Sequence, residues 1–353
     1  MEAFKKEYGL SPREYIQDKV IRKPIRINLY QEEHIMLSRK NIEEVLLQWG
    51  ITSPVITDVY LNSLNNRSEN VWFINNDMVL KIGVNMKGIT NHILISKLMD
   101  KNGLLAATPI PTLDGKEYYT DGDIYYYLSK RLDGKSIKSK DFYNDHYTEQ
   151  AFYHGEIIGK LHLSLAELNN DILCNEANLY HTVTTWAIPK TKEVFDLDND
   201  FVSDYTKTMG ILFKNLPKQI IHRDPHPDNI LFKDNKLVGF IDFEISEVNV
   251  RIFDPCYAAT AILSDSFNGI DTAGRKRFSD IFLNIISGYN SIVQLTDDEI
   301  RAIPYVIFSI QLIFIAYCEG IDKLKELSIT NQKMFRWLLE NREILELTEI
   351  LKL

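Results

Sequence analysis

Residues 220–231 read Ile220-Ile221-His222-Arg223-Asp224-Pro225-His226-Pro227-Asp228-Asn229-Ile230-Leu231, and residues 237–243 read Leu237-Val238-Gly239-Phe240-Ile241-Asp242-Phe243. Apolar pairs bracket a polar loop, and a second apolar run delivers one carboxylate, Asp242. Asp224 and Asn229 lie five residues apart, and Asp242 follows thirteen later, at the end of a run that can pair back as a strand. Two carboxylates and an amide are an inventory for phosphoryl transfer. One carboxylate orients an attacking hydroxyl, another holds Mg²⁺ against nucleotide phosphates, and an amide oxygen completes the metal site. His222 and His226 beside aspartates also suggest a metal hydrolase, but the sequence offers no further His/Asp cluster to complete one. A polar turn between core strands explains any one of these residues, not the ordered set. His222 is expected to brace the loop rather than act as a base.

N-terminal to this island the pattern is mostly β. Residues 38–49 read as a helix stopped by Gly50. Residues 58–61, 70–74 and 78–82 read as strands, the last two joined through Asn75-Asn76-Asp77 as a hairpin. A helix is expected at 88–101, and a second hairpin around Asp121-Gly122-Asp123. After Asp133-Gly134 the pattern turns helical, at 147–168, 200–215, 276–293, 297–318 and 330–351, with a capping box at Thr296-Asp297-Asp298-Glu299. Ser11-Pro12-Arg13-Glu14 is a helix start, and residues 25–30 suit a short strand. A small β-rich part joined to a larger helical part leaves a cleft, a favoured place for ligands.

The chain has 353 residues, 45% hydrophobic and 25% charged, which excludes a disordered or fibrous chain. Its 3 cysteines, Cys174, Cys256 and Cys318, offer no disulfide framework and suit a reducing cytoplasm. No signal peptide is read at the N-terminus. The most apolar window, Ile303 to Cys318, is read as a buried helix and not a membrane span. The net charge of −9 argues against nucleic acid. Residues 1–132 carry 17 Lys+Arg against 16 Asp+Glu, so residues 133–353 carry 40 − 17 = 23 against 49 − 16 = 33. An acidic C-terminal part can steer a cationic ligand, although ordinary surface charge gives the same sum.

His222 to Asn229, followed by Ile241-Asp242-Phe243, resembles the aminoglycoside phosphotransferase and choline/homoserine kinase-like superfamily, whose pattern is H-x-D-x-x-x-x-N followed by I-D-[FW]. The resemblance extends over about residues 38–345. Gly155 to His162 is similar to a helix ending in Leu-His, Tyr127 to Gly134 to the hinge strand, and Met78 to Ile82 to the strand with the phosphate-binding lysine. It implies an α+β, bilobal, protein-kinase-like fold: a small β-rich N-lobe with an antiparallel sheet and a larger, mainly helical C-lobe. The implied domains are an extension at 1–37, a nucleotide-binding lobe at 38–132, and a lobe at 133–353 holding the catalytic loop and the acceptor. The implied cofactors are ATP or GTP and Mg²⁺. Asp224 would be the catalytic base and Asn229 and Asp242 the metal ligands. Lys81, Asn70, Lys130 and Leu132 would bind nucleotide, Lys81 through its phosphates and Lys130 and Leu132 through the adenine. On strand pattern alone, without the resemblance, an exposed strand lysine is the better reading of Lys81.

Three features depart from the family pattern. Residues 62–70 replace a glycine-rich phosphate loop without a glycine. The helix at 88–101 has no Glu to pair with Lys81, and Asn91 or His92 stands near that place. Residues 1–37 precede the match, as a cap on the small lobe or an oligomer contact. The expected activity is phosphoryl transfer to a hydroxyl of a small molecule, with a cationic acceptor favoured: an aminoglycoside, amino alcohol, hydroxy amino acid or sugar. Tyr180, Trp186 and Asp196–Asp200 are candidate acceptor contacts, and Asp254 is expected to cap a helix at 255–263. No membrane and no nucleic-acid partner is expected, and the chain is read as a monomer or homodimer. The competing reading is a catalytically retired nucleotide-binding or scaffold protein; a protein kinase lacks room for an activation loop between Asp242 and Asp254.

Overall fold

The computed structural model describes residues 39–61, 66–168, 174–268 and 271–347. The helix start at 11–14, the strand at 25–30 and the extension 1–37 lie outside them. Helix α1 (Arg39–Leu46) continues as a 3-10 turn to Trp49, and Gly50 stops it at φ 70°. A five-stranded antiparallel sheet follows, ordered β1 (Ile56–Leu61), β2 (Asn66–Ile74), β3 (Met78–Gly83), β6 (Ile124–Lys130), β5 (Tyr119–Asp121). Asn75 and Asn76 both take left-handed φ in the β2–β3 turn, a conformation Asn tolerates and a tight hairpin requires.

The alternation of side chains along these strands builds two faces. Leu80, Ile82, Tyr126 and Leu128 pack with Trp72 and Ile74 against Ile42, Leu46 and Trp49. Tyr125 and Tyr127 point the other way, onto Ile89 and Ile93 of α2 (Met86–Lys101). Lys81 lies between Leu80 and Ile82 and pairs in register with Tyr127 on one side and Val71 on the other. It therefore faces the α2 side, not the α1 side.

A short strand, β4 (Leu105–Ala106), leaves this region and pairs in parallel with β10 (Lys236–Phe240). The resulting second sheet is ordered β4, β10, β9 (Ile230–Lys233), β7 (Lys135–Ser136), and β8 (Lys218–Ile221) with β11 (Glu247–Val250) forms a third. These two small sheets hold the polar loop of residues 222–229.

The rest is helical: α3 (Tyr147–Leu165), short α4 (Leu179–Thr182) and α5 (Ile188–Thr191), α6 (Asn199–Leu212), α7 (Phe253–Ser266), α8 (Thr272–Ile292), α9 (Asp297–Glu319) and α10 (Lys325–Glu340). α3 and α8 lie backbone to backbone. A Cβ on Gly155 would stand 2.0 Å from the Ile285 carbonyl oxygen, and one on Gly288 would stand 1.9 Å from that of Phe152. α9 begins with the expected Thr296/Glu299 capping box. It is long and apolar enough to cross a membrane, but 83% of its most apolar window is buried inside the protein. Its apolarity is thus accounted for by the core it shares with α6, α7, α8 and α10. The helix expected over 330–351 ends earlier, at Glu340, and turns into a 3-10 segment at Arg342–Leu345. All three cysteines are unpaired. The architecture is the bilobal, protein-kinase-like one.

Candidate active site

The loop carrying Asp224 is held from below by a carboxylate. Asp254, in the first turn of α7, accepts from the main-chain N–H of His222 (2.8 Å) and of Arg223 (3.1 Å), and bonds His162 Nε2 at 3.0 Å. His162, in the last turn of α3, reaches the Tyr289 hydroxyl with Nδ1 at 2.9 Å. Asp254 is therefore not the helix cap expected for it: α7 has no side-chain cap, and the carboxylate satisfies buried donors of the loop instead. Arg223 takes φ 78°, with its side chain 2% exposed and ion-paired to Glu247 at 2.8 Å. His222 accepts weakly from Asp224 N at Nδ1 (3.4 Å) and so donates from Nε2 to the Ile241 carbonyl (3.0 Å), which ties the loop to the end of β10.

Asn229 Nδ2 donates to the Asp224 carbonyl (2.9 Å) and to Asp224 Oδ2 (3.1 Å). That orientation turns its amide oxygen away from Asp224. The Asn229 carbonyl accepts from Ile241 N–H at 3.0 Å, which places Asn229 next to Asp242. Asp242 takes φ 69°, so its side chain leaves the line of the strand. Tyr257 of α7 lies near the Asp224 carboxylate, and burial first, then that charge, pushes its phenol well above its ordinary range.

Lys81 reaches across to this loop. Its Nζ stands 2.8 Å from Asp242 Oδ1 and 2.8 Å from Glu244 Oε1. Burial acts to lower the Lys81 ammonium, but Asp242 and Glu244 outweigh it and hold the group well above its usual value. Burial likewise acts to raise Asp242, and Lys81 overcomes it, keeping the carboxyl below the usual range. Lys81 is therefore not a free strand lysine. The carboxylate missing from α2 is supplied by Glu244, whose side chain is 1% exposed. On α2 itself His92 fills the helix position, its Nδ1 accepting from Phe243 N–H at 3.1 Å. Burial first, then the Lys81 charge, lowers His92 to about 3.

The remaining expected residues lie at the margins. Asn70 is on β2, next to Val71 that pairs with Lys81, and its Oδ1 accepts from Ser68 Oγ at 3.0 Å. Lys130 ends β6 opposite Met78, and Leu132 follows, its carbonyl accepting from Gly134 N–H. Tyr180 and Trp186 pack against the helical core, and Asp198 caps α6. Among the described residues no three His, Cys, Asp or Glu side chains converge as a metal-binding group. A hard cation needs less from protein here, because Mg²⁺ takes one or two carboxylates and fills its octahedron with phosphate oxygens and water. Asp242 and the amide oxygen of Asn229 are oxygen donors that fit that ion.

The sequence profile of the phosphotransferase enzyme family matches residues 68–280, well over half of the chain. The chain belongs to this family. It is 29% identical to a homoserine kinase of Zymomonas mobilis over 159 residues, 43% of this chain and 46% of that one. It is 27% identical to a homoserine kinase of Neisseria meningitidis over 158 residues, 44% of this chain and 48% of that one. The chain thus spans less than half the length of these curated relatives. Among solved structures it is similar to an amicoumacin kinase in complex with AMP-PNP and Ca²⁺ (TM-score 0.62, 13% identity, 87% of this chain and 93% of that one). It is also similar to a microcompartment-associated aminopropanol kinase (TM-score 0.61, 14% identity, 86% and 98%). At such identities these two likenesses are of fold.

Proposed function

We propose that this phosphotransferase-family chain is an ATP- and Mg²⁺-dependent O-phosphotransferase acting on a small hydroxylated molecule that carries an amine. The observation that carries the reading is the linkage of Lys81 to Asp242 and Glu244 beside the Asp224–Asn229 pair. In this reading residues 38–132 hold the nucleotide, with Lys130 and Leu132 offering backbone groups to the base and Asn70 and Lys81 lying toward the phosphates. Residues 133–353 hold the catalytic loop and the acceptor.

Asp224 accepts the proton of the attacking hydroxyl and aims its oxygen in line. Asn229 Nδ2 fixes the carboxylate for that task. Asp242 and the Asn229 amide oxygen would hold Mg²⁺, which when bound neutralises the β- and γ-phosphate oxygens. Lys81 exchanges one carboxylate for nucleotide phosphate when ATP enters, while Glu244 keeps it aligned. GTP is the alternative donor, and the reducing cytoplasm is the setting that supplies either.

The acceptor class is supported by charge and by the relatives. The C-terminal 221 residues carry 33 acidic against 23 basic side chains, a field that attracts an ammonium. Homoserine and aminopropanol, named for related kinases, each carry an amine and a hydroxyl. An ADP-release assay with ATP and Mg²⁺ over homoserine, aminopropanol, choline, hydroxylysine, aminoglycosides and neutral sugars tests this. Turnover with an amine-bearing acceptor and not with neutral sugars is expected. Silence from every acceptor, with no ATP binding by calorimetry, would favour a retired nucleotide-binding protein instead.

A further inference from the structure

Asp242 sits at φ 69°, a left-handed conformation that is sterically unfavourable for a non-glycine residue, so its neighbours must hold it there. The peptide on its N-terminal side is pinned twice. Ile241 N–H donates to the Asn229 carbonyl at 3.0 Å, and the Ile241 carbonyl accepts from His222 Nε2 at 3.0 Å. On the C-terminal side Phe243 N–H donates to His92 Nδ1 at 3.1 Å. Because Nδ1 accepts, the ring proton is assigned to Nε2, on the side of Ala107. The Ala107 carbonyl accepts from the Tyr127 hydroxyl. His92 is 3% exposed, stands edge-on to Tyr127 at 5.1 Å and lies 6.0 Å from the Phe243 ring, so it is enclosed by packed side chains. α2 is pressed onto the same segment: a Cβ on Gly88 would stand 2.6 Å from the Glu244 carbonyl oxygen.

We infer that His92 is a positioning residue for the metal carboxylate: α2 fixes the left-handed backbone of Asp242 through the Phe243 amide. This rests on the reading of Asp242 as a Mg²⁺ ligand and extends it. The helix does not orient Lys81 in this chain. It orients the loop that carries both of the lysine's carboxylates. The amide oxygen of an asparagine can stand where Nδ1 stands, whereas the terminal amide of a glutamine reaches the Nε2 position facing Ala107.

The test compares wild type, His92→Asn and His92→Gln by titrating ATP binding with Mg²⁺ in calorimetry, with melting curves taken without nucleotide. The expected result is that His92→Asn stays within about threefold of wild type in Mg²⁺-dependent ATP affinity. His92→Gln is expected to lose about tenfold or more of it, while ATP affinity without Mg²⁺ and the melting temperature stay alike in the two variants. Equal Mg²⁺ dependence in the two variants, or a better Gln than Asn, overturns the inference while leaving the kinase reading in place. A wild-type protein with no Mg²⁺-dependent ATP binding overturns the kinase reading, and this inference with it.

Discussion

Asp224 and Asp242 are both carboxylates of one loop system, yet their substitution is expected to give different losses. Asp224→Asn removes the proton acceptor but keeps the bond geometry to Asn229, so ATP binding should stay near wild type while turnover falls by about 10²–10⁴-fold. Asp242→Ala removes a Mg²⁺ ligand and one partner of Lys81, so Mg²⁺-dependent ATP affinity and turnover should fall together. Calorimetry beside an ADP-release assay separates the two, and unchanged affinity in Asp242→Ala would remove it from the metal site. Glu244→Gln keeps the side chain's size and leaves Lys81 with one carboxylate. A charge-assisted bond of this type is worth about 1.5–3 kcal/mol, so KM for ATP should rise about ten- to a hundredfold with a smaller change in kcat. These three acidic residues were not equally visible in the sequence. Asp224 and Asp242 stand in an ordered motif whose chemistry is readable. Glu244 meets Lys81 across 163 residues of chain, and its only signals were the helix lacking a glutamate and a carboxylate two residues past Asp242.

At the scale of elements, local pattern carried most of the fold. Turn chemistry at Asn75-Asn76 and Gly122, the stop at Gly50 and the Thr296 box each rest on a few neighbouring residues, and each lies where the sequence places it. What local pattern could not show is long-range use of a residue whose local role is also plausible. Asp254 stands where a helix cap would stand, beside Pro255, but its oxygens serve His222, Arg223 and His162. β4 is two residues long and gains its identity only from pairing with β10. Asp254→Ala should therefore cost far more than loss of a cap, which is about 1 kcal/mol. It leaves two buried N–H groups and a buried histidine without their acceptor, so about 3–5 kcal/mol is expected in chemical denaturation. A loss of only cap size would show that the loop finds other acceptors.

Over the whole molecule, acid is where several buried groups act together. Burial first, then the neighbouring His226 charge, lowers His154 to about 3. Neither of its ring nitrogens has a hydrogen-bond partner, and its ring stands edge-on to Phe142 at 5.3 Å. In the unfolded chain the same group titrates near its ordinary value of about 6.5. Between those two values the unfolded state binds the proton and the folded state does not. Stability is therefore lost as pH falls from about 6.5 toward about 3, at up to about 1.4 kcal/mol per pH unit for this one residue. His92 acts with the same sign, as does Asp265, whose carboxyl is held low by His226 and Ser139 against the effect of burial. His226 acts with the opposite sign. Burial acts to lower it, but Asp265 and the charges of Asp224 and Asp228 raise it above its ordinary value, so its contribution is full at low pH and lost as pH rises. A wild-type acid limb alone cannot assign the loss, and a variant that deletes one titration can. His154→Leu replaces a ring with no hydrogen bonds by an apolar side chain of similar bulk. Near pH 7.5 it should be close to wild type in stability, because no bond is lost. Below pH 6 the two should separate, the variant falling less steeply by about 1 kcal/mol per pH unit in urea melts from pH 6 to 4. Superposed acid limbs would show that the folded protein protonates His154 as readily as the unfolded chain does.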